Sequence, residues 1–337
     1  MEGTAAHSAS LPGGGGGGED AEEWTKDVAA YYTNYFPIAT VEKFYTQIGP
    51  LNMREFAFEG TWKRFGVVSA LDLIKALQTY PRPSNPESVS DRYGAYHVGP
   101  VYSESYSYLH SSVESDARPG YQRAKEFVID IDLTDMTTQR ETCGCGAAKT
   151  ALCVACWIWV SWSMHVAERT LQLVLSESDV PVMWAFSGGR GMHGYVVDQY
   201  SDFTTTQRRK IVDQLGEPAN MEHDKEFWRT TQNRLDEVGY PIGQDDPPPP
   251  FIFDRPVTWK MGLTRGIFSP HKSGFVTTPV TPEQVASTTI PRELIPSMRD
   301  LRINGPHGAS ARLLTDATHV VDNYIQRITQ QQLQRQG

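Results

Sequence analysis

Glu-Phe-Val-Ile-Asp-Ile-Asp-Leu-Thr-Asp, residues 126–135, combines an apolar run with acidic residues. The apolar run predicts a buried strand, and Asp130 and Asp132 lie in the middle of it. Since side chains alternate between the faces of a strand, both carboxylates lie side by side at one edge of an apolar sheet. Like charges placed in this way repel each other and are costly to desolvate. A pair of Mg²⁺ or Mn²⁺ ions would explain the arrangement, and the alternative is a strand that simply ends in water.

The composition predicts a globular protein with a sizeable core. The chain has 337 residues, of which 39% are hydrophobic, enough for one large domain or two smaller ones. We find no apolar run long enough to span a bilayer and no signal peptide at the start, so we expect a soluble, intracellular protein without a membrane partner. The formal net charge of -9 argues against non-specific nucleic-acid binding through overall charge. A local basic groove remains compatible with it, because salt screens exposed charges beyond roughly 10 Å.

The order of helical and strand patterns divides the chain into four parts. These are a flexible Gly-rich tail (1–22), a core (23–203 and 251–285), a short helical insertion with a Pro-rich connector (204–250) and a C-terminal segment with an amphipathic helix (286–337). Helices are predicted on both sides of Pro37 within residues 24–48, and over residues 70–79, 156–176, 204–215 and 222–238. Strands are predicted over residues 55–58, 64–68, 98–103, 182–186, 194–197 and 251–254.

All four cysteines lie within fourteen residues, in the pattern C-x-C, seven residues, C-x-x-C. Cys143, Cys145, Cys153 and Cys156 could together bind one tetrahedral Zn²⁺ with Zn–S distances of about 2.3 Å. In an intracellular protein this interpretation is favoured over disulfides. Four protein ligands would close the site, so we expect its role to be structural. Four reduced thiols or two strained disulfides are the alternatives.

A glycine-rich turn, Ser-Gly-Gly-Arg-Gly-Met-His at residues 187–193, joins two predicted strands. Glycines allow a phosphate to approach the backbone closely, and Arg190 offers a fork of donors for phosphate oxygens. His193 can donate to a phosphate or shuttle a proton. A second run contains Arg265 and His271 and could close around the same anion. The alternatives are an ordinary hairpin and an ordinary loop.

Taken in order, these motifs resemble the small (catalytic) subunit of archaeo-eukaryotic DNA primase. The matching segments are residues 53–56, 99–103 and 126–135, the cysteine knuckle to Trp157, residues 186–193, and Asp254 with Arg265 and His271. The resemblance implies an α/β (α+β) fold, with a mixed-sheet catalytic core, a zinc-binding knuckle and a short helical insertion. It also implies a DNA-directed RNA polymerase that synthesises short RNA primers on single-stranded DNA by two-metal nucleotidyl transfer.

The same resemblance assigns roles to residues and suggests partners. Asp130, Asp132 and Asp254 would be the catalytic carboxylates that bind two Mg²⁺ or Mn²⁺ ions. The incoming nucleoside triphosphate would be held by Ser187, Arg190, His193, Arg265 and His271, and Glu55 and Arg64 would lie around the initiating nucleotide. Expected partners are the single-stranded DNA template, nucleoside triphosphates, a large primase subunit with an iron–sulfur cluster and a replicative DNA polymerase. A eukaryotic source would place the protein in the nucleus.

The sequence departs from the family pattern at several positions. Gly189 occupies a position at which eukaryotic members usually carry a second Arg. His97 occupies one at which an acidic residue often precedes the Gly-x-Val-Tyr segment, and Arg265 occupies one at which Lys is common. The span from His193 to Asp254 is also far shorter. A primase-polymerase that prefers deoxynucleotides, an inactive zinc-knuckle scaffold that binds nucleic acid, and a two-metal nuclease are therefore alternative functions.

Overall fold

A computed structural model describes residues 19–80, 94–114, 117–146, 152–215, 224–248, 262–288 and 291–336. Asp254, the strand predicted over residues 251–254 and most of the predicted tail lie outside the described residues. The first helix begins at Glu19, within the stretch predicted as tail.

Eleven α-helices lie in the described part of the chain. They are α1 (Glu19–Asn34), α2 (Ile38–Tyr45), α3 (Ala70–Thr79), α4 (Tyr106–Ser112), α5 (Thr137–Thr142), α6 (Val154–Leu175), α7 (Thr205–Leu215), α8 (Lys225–Glu237), α9 (Pro282–Ser287), α10 (Met298–Asn304) and α11 (Ala309–Gln336). The helices predicted on both sides of Pro37 are confirmed, and so is α3. Ser69 begins α3 because its hydroxyl accepts a hydrogen bond from the Asp72 amide at 3.2 Å.

Nine strands of the described residues form two sheets. The strands are β1 (Arg54–Phe58), β2 (Arg64–Phe65), β3 (Tyr96–Tyr102), β4 (Gln122–Ala124), β5 (Phe127–Asp132), β6 (Met183–Phe186), β7 (Gly191–Val196), β8 (Thr264–Arg265) and β9 (Thr278–Val280). The first sheet has the order β2-β1-β3-β4, with β8 also paired to β3, and the second has the order β5-β7-β6-β9. Every pairing among the described strands is antiparallel. The α+β class is confirmed, and the sheets that we predicted to be mixed are antiparallel.

The second sheet packs against other parts of the molecule on both faces, and alternate residues of β5 lie on different faces. Alternate residues Phe127, Ile129 and Ile131 are buried in the core that contains α6. The opposite face carries Val128, which is buried in the core formed with α1, α2, α11 and the first sheet. Asp130 and Asp132 share the face of Val128, since side chains two apart point the same way. The predicted same-face arrangement of the carboxylates is therefore confirmed, on the side of the second sheet that faces the first.

Helix α6 is the central helix of the second core. It is buried on most sides, as its apolar sequence predicts, because the second sheet and helices α7, α8 and α9 surround it. The insertion helices α7 and α8 place Ile211, Val212, Trp228 and Leu235 in the same core. The insertion is thus packed against α6.

The C-terminal helix α11 has the predicted amphipathic character. Its apolar face includes Val321, Ile325 and Ile328, which are buried in the core around α1 and α2. In the described residues, no helix has both the length and the apolar composition needed to cross a membrane.

Candidate active site

The carboxylate pair on β5 lies opposite the end of the glycine-rich turn. Asp130 pairs with His193 across the β5–β7 ladder, and Asp132 pairs with Gly191. Asp130 Oδ1 lies 3.3 Å from His193 Nε2. Both aspartates are partly exposed, with 16% and 35% of their side-chain surfaces accessible. The strand register therefore brings the predicted metal-binding and phosphate-binding residues together.

Asp132 is held from two directions. The Arg190 guanidinium contacts it, with Nε 3.2 Å from Asp132 Oδ1. The same oxygen accepts a hydrogen bond from the Thr134 amide at 2.8 Å, because the chain turns into a short 3₁₀ helix immediately after β5. These contacts fix the carboxylate and place a cation beside it.

Ser187 organises the glycine-rich turn from within. Its hydroxyl oxygen accepts hydrogen bonds from the amides of Gly191 at 3.1 Å and Gly189 at 3.4 Å. Its own amide donates to the Gly191 carbonyl at 2.9 Å, and Gly188 adopts a φ of +83°, which favours glycine. The hydroxyl proton of Ser187 is left to donate to a ligand.

His271 packs directly against the turn. Its Nδ1 accepts a hydrogen bond from the Ser273 amide at 3.1 Å, and Ser273 Oγ donates to the Gly188 carbonyl at 2.6 Å. Burial, together with the charges of Arg265, Lys272 and Arg190, lowers the pKa of His271 to about 3. The neutral ring then carries its proton on Nε2.

The position of His271 explains Gly189. A Cβ at residue 189 would lie 2.9 Å from both Cε1 and Nε2 of the His271 ring. The absence of the second arginine is thus coupled to the close approach of this histidine.

Arg265 is close to the site, but its guanidinium has other contacts. Nη2 pairs with Glu59 Oε1 at 2.7 Å, and Nη1 donates to the Pro270 carbonyl at 3.0 Å. The backbone carbonyl of Arg265 accepts a hydrogen bond from the Tyr195 hydroxyl at 2.8 Å, and Tyr195 lies 3.4 Å from His193 Nδ1. Arg265 is therefore linked to the carboxylate site through Tyr195 and His193.

Glu55 and Arg64 form a separate group on the first sheet. Glu55 is buried and pairs with the half-exposed Arg64. It also accepts hydrogen bonds from the hydroxyls of Tyr106 at 3.1 Å and Tyr102 at 3.4 Å. Burial and the charge of Glu55 raise the pKa of Tyr102 to about 12. Glu55 and Arg64 therefore form an ion pair, and their predicted place around an initiating nucleotide stays a prediction.

Three residues of the site were not predicted from the sequence. Asp135 lies near enough to Asp132 and Asp130 for their charges, after burial, to raise its pKa. Its place in the acidic run 126–135 was a signal that could have identified it. Tyr195 shares the face of His193 by strand alternation, whereas nothing in the sequence indicated that Glu59 would pair with Arg265.

The oxygen-rich donor set is suited to a hard divalent cation. Asp130 and Asp132 provide partly exposed carboxylate oxygens on one face, which Mg²⁺ and Mn²⁺ prefer. Arg190, His193 and His271 add donors for an anion on the adjacent turn. The arrangement can thus bind a metal-bound polyphosphate, while the predicted third ligand, Asp254, lies outside the described residues.

The four cysteines form a second cluster, on the opposite face of the second sheet from the aspartates. Cys143 ends α5, Cys153 precedes α6 and Cys156 lies in its first turn. Gly144, between Cys143 and Cys145, and Gly146, which follows Cys145, both have positive φ angles and turn the chain at the first cysteine pair. The four sulfur atoms lie within 4.8 Å of one another, so the cluster could bind one metal ion, as predicted for a structural zinc. Hydrogen bonds from Cys143 and Cys156 lower the pKa of Cys153, which favours the thiolate.

The chain is similar in sequence to several proteins of known identity. The DNA primase small subunit of Saccharomyces cerevisiae is 26% identical over 209 residues, which are 60% of this chain and 46% of the relative. The Caenorhabditis elegans small subunit is 27% identical over 198 residues, 56% of this chain and 42% of the relative. This chain is a relative of the DNA primase small subunits.

The Drosophila melanogaster primase small subunit is 38% identical over a shorter stretch of 103 residues, 30% of this chain and 21% of that protein. The chain therefore aligns with less than half the length of each of these three primase subunits. No known family model matches the chain.

A solved structure also aligns with the chain. The polymerase domain of Mycobacterium tuberculosis ligase D, in complex with DNA, covers 87% of this chain and 92% of its own, with 12% identity and a TM-score of 0.42. A similarity at this level supports no argument about function, so the relation to primases rests on sequence.

Proposed function

We propose that the chain is the catalytic subunit of a DNA primase, a nucleotidyltransferase that makes short RNA primers on single-stranded DNA. The observation that carries this proposal is the juxtaposition across β5 and β7 of Asp130 with His193 and Asp132 with Arg190. Two carboxylates beside phosphate-binding donors are what the transfer of a nucleotide from a triphosphate requires. The relation to primase small subunits gives this chemistry its template and product.

The metal ligands in this proposal are Asp130, Asp132 and Asp254. When bound there, two Mg²⁺ or Mn²⁺ ions would lower the pKa of the attacking 3′-hydroxyl and neutralise the leaving pyrophosphate. The zinc ion that we propose for Cys143, Cys145, Cys153 and Cys156 would have no part in the chemistry.

The side chains of the turn bind and orient the triphosphate. Arg190 supplies a charged, planar donor group, and Ser187 supplies a hydroxyl proton. His193 and the neutral Nε2–H of His271 donate to phosphate oxygens from the two sides of the turn. Arg265 would neutralise charge from farther away, because Glu59 and the Pro270 carbonyl already hold its guanidinium.

The Glu55–Arg64 pair has a positioning role in this proposal. Arg64 is half exposed while Glu55 is buried, so the arginine is accessible to an initiating nucleotide. Glu55 accepts hydrogen bonds from Tyr102 and Tyr106 and pairs with Arg64, so that it holds the arginine in place.

Outside the chain, the proposal includes a large primase subunit with an iron–sulfur cluster and a replicative polymerase. The large subunit is suggested by the name of the relatives, which are small subunits of primase, whereas the iron–sulfur cluster and the polymerase rest on the family resemblance of the sequence alone. In a eukaryote the complex would act in the nucleus.

Primer synthesis on a poly-dT template tests the proposal. The full chain is incubated with labelled ATP or dATP and Mg²⁺ or Mn²⁺ at low salt, because the net charge of -9 predicts weak binding to the template. We expect ATP-dependent products from the wild type and their loss in Asp130→Asn. Asp236→Asn, an exposed residue of α8, is the matched control and should retain synthesis. Near-wild-type synthesis by Asp130→Asn would refute the assignment.

A deoxynucleotide-preferring primase-polymerase is the second candidate, and His97 favours it. His97 replaces the acidic residue expected before the Gly-x-Val-Tyr segment, and burial holds its pKa well below the usual range, so the replacement is neutral. Faster incorporation of dATP than of ATP in the same experiment would establish this alternative. Degradation of the poly-dT template without synthesis would instead identify a nuclease.

A further inference from the structure

A cavity of about 570 Å³ lies between α6, α9 and α11. Met183, at the start of β6, and Val280, at the end of β9, line it. Ser187 and the glycine-rich turn follow the other end of β6. The cavity is therefore at the end of the second sheet opposite to the carboxylate site, and an occupant would leave that site open.

The cavity combines apolar walls with a partly buried carboxylate. Met164, Val180 and Phe227 contribute apolar surface. Glu168 of α6 lines the same space and accepts a hydrogen bond from Trp184 Nε1 at 2.7 Å. The volume is in the range of small-ligand pockets, which typically hold about 300–1,000 Å³ and place a few polar groups on apolar walls.

The charged groups that line the cavity are mainly acidic. They are the carboxylates of Glu168, Glu283 and Asp179 and the guanidinium of Arg327. Arg327 pairs with Asp179, so its positive charge offsets that carboxylate. The negative charges of Glu168 and Glu283 are therefore in excess among the lining residues. His165 also lines the cavity, but it pairs with Asp224 at 2.6 Å. Burial raises the pKa of Glu168, with the charges of Glu283 and Asp179 acting in the same direction. A cation in the cavity would favour the ionised form of Glu168.

We propose that this cavity is a second binding site, for an organic cation: an ammonium or guanidinium group carried on an apolar stem. The stem would pack against Met164, Val180 and Phe227, and the cationic head would pair with Glu168. Glu283, at the rim in the first turn of α9, would interact with a second charge. The ligand is either a free polyamine or a lysine or arginine side chain of a partner polypeptide, since the recognising chemistry is the same.

Binding to the full chain tests the site with three probes. Spermidine represents a free polyamine, acetyl-Leu-Arg-Leu-amide represents a partner side chain, and acetyl-Leu-Glu-Leu-amide is the charge control. Calorimetry gives the affinity, and the indole N–H resonance of Trp184 reports the site, because this group donates to Glu168. The resonance is assigned by its loss in Trp184→Phe.

We expect at least one cationic probe to bind and to shift the Trp184 resonance, while the acidic peptide does neither. Glu168→Gln should weaken that binding by about tenfold or more, since it removes the charge and keeps an acceptor for Trp184. Glu293→Gln removes the same charge from an exposed residue outside the cavity lining and should bind as the wild type does. Binding of spermidine alone identifies a free polyamine as the ligand, and tighter binding of the arginine peptide identifies a side chain. No shift with either cation, or equal binding by Glu168→Gln, would overturn the proposal, and neither result depends on primer synthesis.

Discussion

The second sheet carries two polar clusters, one on each face, and they differ in what surrounds their ligand atoms. The cysteine sulfurs lie within 4.8 Å of one another and pack in the core around α6. The aspartates of β5 are partly exposed, and each contacts a basic side chain from the turn or β7. One cluster is closed by its own ligands, whereas the other is open to incoming groups. The difference predicts that the cysteines contribute to stability and the aspartates to chemistry.

The strongest test of this difference removes the charge of one carboxylate and leaves the fold unchanged. Asp132→Asn keeps an acceptor for the Thr134 amide but removes the charge beside Arg190. We expect primer synthesis to fall by at least about a hundredfold, because metal and triphosphate would both be held less well. The melting temperature and the zinc content should stay close to those of the wild type.

Calorimetry, metal analysis and the primer assay on the same preparation measure the three quantities together. Asp236→Asn serves again as the control for loss of one exposed carboxylate. A large fall in melting temperature in Asp132→Asn would show that the open cluster also supports the fold, and the comparison would fail.

The corresponding test of the cysteine cluster removes one of its four sulfur ligands. Cys153→Ser should lose the zinc ion and lower the free energy of unfolding by about 2 kcal/mol or more, since structural metal binding is coupled to folding. The expected metal content is one zinc per wild-type chain and none per variant chain. Thermal unfolding with and without a chelator gives the same comparison in the wild type, in case the variant does not fold. A wild-type chain without zinc would rule out the metal assignment.

A smaller effect on nucleotide binding is expected from a substitution at Gly189, where the glycine-rich turn lies against His271. Gly189→Arg introduces the second arginine that the family resemblance led us to expect, but its Cβ would lie 2.9 Å from the His271 ring. Because His271 must move, we expect the KM for ATP to rise by roughly tenfold, although the variant gains a cation. Gly189→Ala, which adds the Cβ without the charge, should raise KM to a similar extent. A lower KM in Gly189→Arg would show that the turn accepts a second arginine.

The parts of the structure that depend on local pattern were predictable. Strand alternation placed Asp130 and Asp132 on one face of β5, and the continuous apolar run predicted the buried helix α6. The closeness of the four cysteines followed from their spacing within fourteen residues, whereas helix α5 before Cys143 was not predicted. In each case the information lies within a few residues of sequence.

Contacts between distant segments were not predictable in the same way. Glu59 and Arg265 are 206 residues apart, and only the pairing of β3 with both β1 and β8 brings them together. From the sequence, Gly189 could be described only as the absence of an expected arginine. The structure shows that a glycine at this position leaves room for the ring of His271. The roles of Asp254 and of the other site residues stay predictions.

The smallest expected effect concerns His271 and the pH dependence of stability. Burial lowers its pKa from the usual 6.5 to about 3, so between these values the unfolded chain takes up a proton that the folded chain does not. This contribution to stability is fully present above about pH 6.5 and is lost as the pH falls toward 3. His271→Gln should therefore make the slope of unfolding free energy against pH shallower in that window, by up to about 1.4 kcal/mol per pH unit. Urea unfolding at several pH values measures the slope, with the exposed His307→Gln as the matched control. Equal slopes in the wild type and in His271→Gln would mean that the ring takes up its proton over the same pH range in the folded and the unfolded chain, so that its pKa is not lowered by burial.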